Sequence, residues 1–196
     1  MKDIYTIGYV SYEPEEMTKV LLSFGISCLI DVRSNPHSAY YTQYNKEVFS
    51  ETLKEHGILY RNYWLEFGAR QEDPKYYTKE GYLDFSAYTK SEQFLKGVQK
   101  IEQGMQMGYV FALMCAEKDP MTCHRAIMIG KVLKEKGFTV KHILWPDRIE
   151  TQQEMEQRGI GEQLSFFPEE QRIEEFYQAQ NRKIGYRPES GKEGVA

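Results

Sequence analysis

The densest collection of reactive side chains in the sequence is the run Cys115-Ala116-Glu117-Lys118-Asp119-Pro120-Met121-Thr122-Cys123-His124-Arg125. Asp119-Pro120 reads as a helix start, with Asp as the N-cap and Pro at the first helical position. Cys123, His124 and Arg125 then fall in the first turn, where unpaired N–H groups and the helix dipole favour an anion. A thiol placed there, beside Arg125 and His124, is expected to ionise more readily than a free cysteine. Cys115, at the end of an apolar run, faces the same loop. Three chemistries fit these residue types. One is a thiolate enzyme in which Arg33 or Arg125 holds an anionic group. Another is a metal site drawn from Cys115, Cys123 and His124 or His142, with Asp31 as a further donor. The last is a Cys115–Cys123 redox pair. The spacing differs from phosphatase and sulfurtransferase loops, in which cysteine and arginine bracket five residues: nine residues separate Cys115 from Arg125 and one separates Cys123 from it. Neither a C-x-x-C nor an H-x-x-x-H spacing is present, so the sequence assigns no metal ligand set.

Each of these residues also has a plainer reading. Cysteine is among the most buried residue types, which suits Cys115 as a strand-end core residue and Cys28 as core. Arg125 paired with Asp31 or Glu117 would anchor the loop. His142, at a strand end, reads as structural.

What must position these groups is a set of strands alternating with helices. Gly25-Ile26-Ser27 leads into CLIDV, Gly57-Ile58 into LYR, and Gly137-Phe138-Thr139 into VKHIL. In each, a glycine follows helical spacing and precedes an apolar, β-branched run, the handover from a helix end to a strand. The first helix is expected over about Pro14 to Phe24, with Met17, Val20, Leu21 and Phe24 on one face. Further strands are expected at Ile4–Gly8 and Tyr109–Met114. The latter is apolar without alternation, as in a strand covered on both faces. The pattern predicts an α/β fold, a three-layer Rossmann-like sandwich with a largely parallel sheet of about five strands in the order 3-2-1-4-5. Residues 1–146 form the expected core domain, with an insertion at about 60–90. Residues 147–196 read as a helical C-terminal extension with a flexible end, RPESGKEGVA.

In parallel sheets ligands bind beyond the carboxyl ends of the strands. That rim collects Gly8-Tyr9-Val10-Ser11, Asp31-Val32-Arg33-Ser34, the Cys115–Arg125 run and His142. The candidate catalytic residues are therefore Cys115, Cys123, Arg125 and Asp31. The candidate substrate-binding residues are Gly8, Tyr9, Arg33, Ser34, Glu117, His124 and Arg70.

Nine aromatics lie between residues 60 and 88: Tyr60, Tyr63, Trp64, Phe67, Tyr76, Tyr77, Tyr82, Phe85 and Tyr88. Tyr40, Tyr41 and Tyr44 follow the Asp31 strand, and Arg61 and Arg70 are interleaved. Rings mixed with arginine can stack bases and grip phosphates. The plainer expectation is that a segment with little regular structure buries its rings in a small core of its own.

Composition narrows the class. With 41% hydrophobic and 28% charged residues the chain has a globular profile. A net charge of −4 argues against gripping duplex DNA by charge alone. Three cysteines cannot complete a disulfide framework. The opening MKDIYTIGY lacks the basic start and long apolar run of a secretory leader, and no stretch is apolar enough to span a membrane, so a cytoplasmic location is expected.

Taken together, Thr6-Ile7-Gly8, Asp31-Val32-Arg33 with Pro36 and Ser38, Phe67-Gly68-Ala69-Arg70, and Cys115-Ala116-Glu117 through Cys123-His124-Arg125 resemble the bacterial and archaeal "domain of unknown function 488" proteins over about residues 4 to 145. Members of that family usually carry histidine where this chain has Tyr9, and Leu-Gly-Gly where it has Phe67-Gly68-Ala69. The resemblance implies a Rossmann-like fold and a shared pocket, and implies no reaction. The Asp-Val-Arg strand end also has a fold-level likeness to rhodanese sulfurtransferases. The expected function is a thiol-dependent enzyme acting on a small anionic or nucleotide-like substrate. The alternatives are a non-catalytic module that binds nucleotide or single-stranded nucleic acid, and a metal-binding protein built on the Cys/His loop.

Overall fold

The computed structural model describes residues 2–161 and 166–188. In chain order the elements are β1 (Asp3–Gly8), α1 (Pro14–Ser23), β2 (Cys28–Asp31), α2 (Lys46–Glu55) and β3 (Leu59–Asn62). After them come the short helices α3 (Trp64–Phe67) and α4 (Phe85–Tyr88), then α5 (Glu92–Gln106) and β4 (Phe111–Cys115). A π-helical segment, Arg125–Gly130, runs directly into α6 (Lys131–Glu135), followed by β5 (Thr139–Leu144), β6 (Arg148–Thr151), α7 (Gln152–Ile160) and α8 (Glu169–Ile184).

The handover glycines behave as their spacing predicts. Gly25 and Gly137 take φ of 68° and 82°, a region that Cβ-bearing residues avoid, and each turns a helix end toward a strand. β4 is buried at every position and lies inside the sheet, paired in parallel with β1 on one side and β2 on the other.

Six strands form the sheet, in the order β3-β2-β4-β1-β5-β6, rather than five in the order 3-2-1-4-5. β4, the strand with the longest unbroken apolar run, takes the centre between β2 and β1. The sixth strand, Arg148–Thr151, is antiparallel and polar, so its sequence carries no apolar signature. It is held by pairing with β5 along the sheet edge. Gly8 is nevertheless in register with Cys115, so the turn after β1 adjoins the loop after β4.

Two hydrophobic layers cover the sheet. Ile7, Leu29, Ala112, Met114 and Ile143 pack on Met17, Leu21, Phe49 and Leu53 of α1 and α2. Ile4, Ile30, Leu113 and Val140 pack on Phe94, Val98 and Ile101 of α5 and on Ile127, Ile129 and Leu133 of the 125–135 helix. The connections after β1 and β4 thus leave the rim toward opposite faces, which makes the β1–β4 junction the switch point of the fold. The aromatic insertion builds no separate core. Phe67, Phe85 and Tyr88 enter the same layer as α5, and α8 holds the segment down. Asn181 accepts the Phe85 N–H at 3.0 Å and donates to the Leu83 carbonyl at 2.8 Å, while the Leu83 N–H reaches Tyr186 O at 2.9 Å. Most of the expected loose tail lies outside the described residues. Among the described residues no helix is long and apolar enough to cross a membrane.

Candidate functional site: a buried cysteine–histidine cluster

Asp119 caps a single 3-10 turn, Pro120–Thr122, and not the long helix that Asp119-Pro120 suggests. The chain is extended at Cys123 (φ −131°, ψ 137°), and a second helical start follows at His124. Cys123 therefore precedes the helix instead of sitting in its first turn. The anion-favouring feature survives in another form: the Arg125 N–H points at Cys123 Sγ at 3.5 Å, as at a side-chain N-cap.

Around that sulfur lie three other groups. Cys115 Sγ and Cys123 Sγ stand 3.8 and 4.0 Å from His124 Nδ1, and the three ligand atoms are mutually within 4.8 Å. Cys123 Sγ and Glu117 Oε2 share a proton in a 2.8 Å hydrogen bond. His124 Nε2 is 3.0 Å from the Val32 carbonyl, which can only accept, so this nitrogen carries a proton and Nδ1 is directed at the sulfurs. Both cysteines are buried, at 4% and 1% exposure.

The electrostatics follow from this packing. Burial pushes the Cys123 thiol up, but the hydrogen bond from Cys115, the charge of Arg125 and the contact with His124 hold it well below the usual range. The bond to Cys123, then burial, drives Cys115 well up. His124 is raised, the Cys123 sulfur outweighing the effect of burial. Burial, then Cys123, raises Glu117.

Arg125 is completely buried, yet its hydrogen-bond partners are neutral: Glu117 O at 2.5 Å, Lys118 O at 3.2 Å and Thr6 Oγ1 at 3.3 Å. Among the described residues no carboxylate comes within ion-pair distance of it. It staples the 117–118 backbone over the sulfurs, and Gly8 allows this approach, since a Cβ there would lie 1.9 Å from Glu117 O. From outside, Arg158 of α7 grips Asp119 Oδ1 at 2.9 Å and Glu150 Oε1 at 2.7 Å. The sequence singles out neither Arg158 nor the Val32 carbonyl. A surface arginine in a polar helix and a backbone oxygen carry no signal there.

Asp31 and Arg33 reach the same rim on the α1–α2 side and bind each other. Arg33 donates to Asp31 Oδ1 at 2.9 Å and Oδ2 at 2.6 Å, and to the carbonyls of Tyr44 and Pro36 at 2.8 and 3.2 Å. Tyr60 donates to Asp31 at 2.6 Å. Asp31 is thus fully engaged, but Arg33 Nη1 is buried without a partner among the described residues, and the guanidinium lies 5.0 Å above the Tyr9 ring. Burial raises the Tyr9 hydroxyl, Arg33 opposes that, and Cys115 adds to it, so Tyr9 stands in the field of both groups. His142 is in β5 and outside the converging group, with Nδ1 2.8 Å from Thr6 Oγ1, the hydroxyl that Arg125 Nε also reaches at 3.3 Å.

Beside this rim a groove of about 780 Å³ is lined in part by Ser34, Trp64, Arg70, Tyr77 and Tyr186. Arg70 stacks 5.0 Å from the Tyr186 ring and gives its N–H to Ser34 Oγ at 2.9 Å. Trp64 is 43% exposed.

The fold and this rim define a Rossmann-like α/β protein with a buried cysteine–histidine cluster at its switch point. The family model "Domain of unknown function DUF488" matches residues 13–132, well over half the chain and all of the Cys115–Arg125 run, and the chain belongs to that family. No curated protein and no solved structure matches it.

Proposed function

We propose that the protein is a thiol-dependent enzyme that acts on a small anionic, nucleotide-like molecule at the carboxyl rim of its sheet. The observation that carries this reading is the convergence of Cys115 Sγ, Cys123 Sγ and Nδ1 of a His124 ring fixed from behind by Val32 O. Reactive groups are most useful when their orientation is locked by such supporting bonds. Two cationic groups suit an anionic substrate: the orphan Nη1 of Arg33 and the exposed Arg70. Trp64, Tyr77 and Tyr186 offer faces on which a base can stack. In this reading Cys115, Cys123 and His124 are the chemical centre, with Glu117 beside it. Arg125, Asp31 and Gly8 hold the rim in shape, while Tyr9, Arg33, Ser34 and Arg70 meet the substrate. Reduced, buried thiols fit a cytoplasmic setting.

Nucleoside mono- and diphosphates are the probes. They should quench Trp64 fluorescence in a Trp145→Phe background, and Arg70→Ala should weaken the response. Product formation followed by chromatography should disappear in Cys115→Ser and Cys123→Ser while quenching persists. Binding without product in the wild type would make this a recognition module, and absence of both would end the nucleotide reading.

A further inference from the structure

We infer that Cys115, Cys123 and His124 hold a zinc ion, with the Glu117 carboxylate as fourth ligand. The inference rests on the reading above that this cluster is the chemical centre, and it gives the two sulfurs a definite role as metal ligands.

Distances support the site first. Zinc bonds to sulfur at about 2.3 Å and to imidazole nitrogen at about 2.05 Å, so a tetrahedral site places S and N about 3.6 Å apart. The sulfurs stand 3.8 and 4.0 Å from Nδ1, a few tenths of an ångström from that edge. The nitrogen facing the sulfurs is the one left with a lone pair, because Nε2–H is committed to Val32 O. A histidine that ligates a metal through one nitrogen and donates the other to a backbone carbonyl is the recurrent arrangement of such sites. Two cysteines and one histidine also suit zinc better than calcium or magnesium, which prefer oxygen donors.

Charge supports it independently of distance. A fully buried guanidinium needs a negative charge nearby. The hydrogen-bond partners of Arg125 are neutral oxygens, so that charge falls to the sulfur cluster beside its backbone, where the Arg125 N–H meets Cys123 Sγ at 3.5 Å. Two thiolates, a carboxylate and a zinc dication leave one net negative charge beside it. Glu117 is placed to join the three converging ligands through its contact with Cys123. When zinc displaces the thiol proton, the 2.8 Å hydrogen bond is lost, and a cation between sulfur and carboxylate offsets their repulsion. The thiol protons of both Cys115 and Cys123 go to solvent and no electron is transferred.

The test is metal analysis of the full chain together with replacement of zinc by cobalt. One equivalent of zinc is expected, and cobalt should give an intense thiolate-to-metal charge-transfer band with the visible bands of a tetrahedral ion. Cys115→Ser, Cys123→Ser and His124→Ala should each lose the equivalent, and Glu117→Gln should keep it while shifting the visible bands. Should a variant fail to fold, the wild-type cobalt spectrum decides alone. No charge-transfer band in the wild type overturns the zinc site. If product formation then still depends on both cysteines, the thiol-enzyme reading survives without zinc. A bound metal in a protein with no turnover supports the zinc site and overturns the enzyme.

Discussion

His124 Nε2 and the carbonyl of Val32 are joined at 3.0 Å across 92 positions of chain. This one bond fixes the tautomer, aims Nδ1 at the sulfurs, and ties the loop after β4 to the end of β2. His124→Phe keeps the ring volume but leaves Val32 O buried without a donor, at about 1–3 kcal/mol. The expected result is a thermal midpoint lower by several degrees, measured by calorimetry. An unchanged midpoint would mean the bond carries no stability.

Gly8 and Glu117 are in closer contact than any side chain would permit. Gly8→Ala places a Cβ 1.9 Å from the Glu117 carbonyl and 3.3 Å from Arg125 Nη1, so the 117–118 segment must move. Overpacking of this kind costs about 1–3 kcal/mol. Denaturant unfolding should show a loss in that range.

Arg158 is the outer clasp of the same loop, and it is partly exposed. The pair with Asp119 is exposed and contributes only about 0–1 kcal/mol. Glu150, however, is 9% exposed and is held twice by Arg158, so Arg158→Ala should lower global stability by about 1–3 kcal/mol. Release of Asp119 should also appear locally, as faster amide hydrogen exchange over residues 117–123. Exchange equal to wild type would show that Arg125 holds the loop alone.

His142 sets a pH dependence. Burial, then the charge of Arg125, lowers its pKa from 6.5 to about 3. Between those values the unfolded chain binds a proton that the folded protein refuses. The stability His142 contributes is therefore complete above about pH 6.5 and declines as pH falls toward 3, by up to ~1.4 kcal/mol per unit. Urea unfolding at about pH 7 and about pH 5 should differ by on the order of 2 kcal/mol through this group. His142→Gln should flatten that part of the curve.

Much of this arrangement is legible in the sequence because it depends on local signals. The glycines that end helices and the unalternating apolar run of β4 predict the parallel sheet, and the position of reactive residues after strands predicts the rim. The strand order is not legible, because which neighbour β4 chooses depends on pairing across the whole sheet. β6 is missed for a related reason: Arg148–Thr151 is polar and becomes a strand only by contact with β5. The helix expected from Asp119-Pro120 is interrupted at Cys123, where the chain is extended. The next residue, His124, is drawn to the Val32 carbonyl 92 positions away, a tertiary contact that outweighs the local capping signal. Arg125 has the type of an anion-binding residue, but its burial makes it a staple for the loop.

The most direct test of the cysteine–histidine centre is alkylation by iodoacetamide, read by peptide mass, before and after treatment with a chelator. Cys115 and Cys123 should be protected in the native protein and become reactive once metal is removed, while Cys28, buried in the sheet, stays unlabelled in both states. Labelling of Cys115 and Cys123 only after full denaturation, with no effect of the chelator, would contradict the account and make both residues packing.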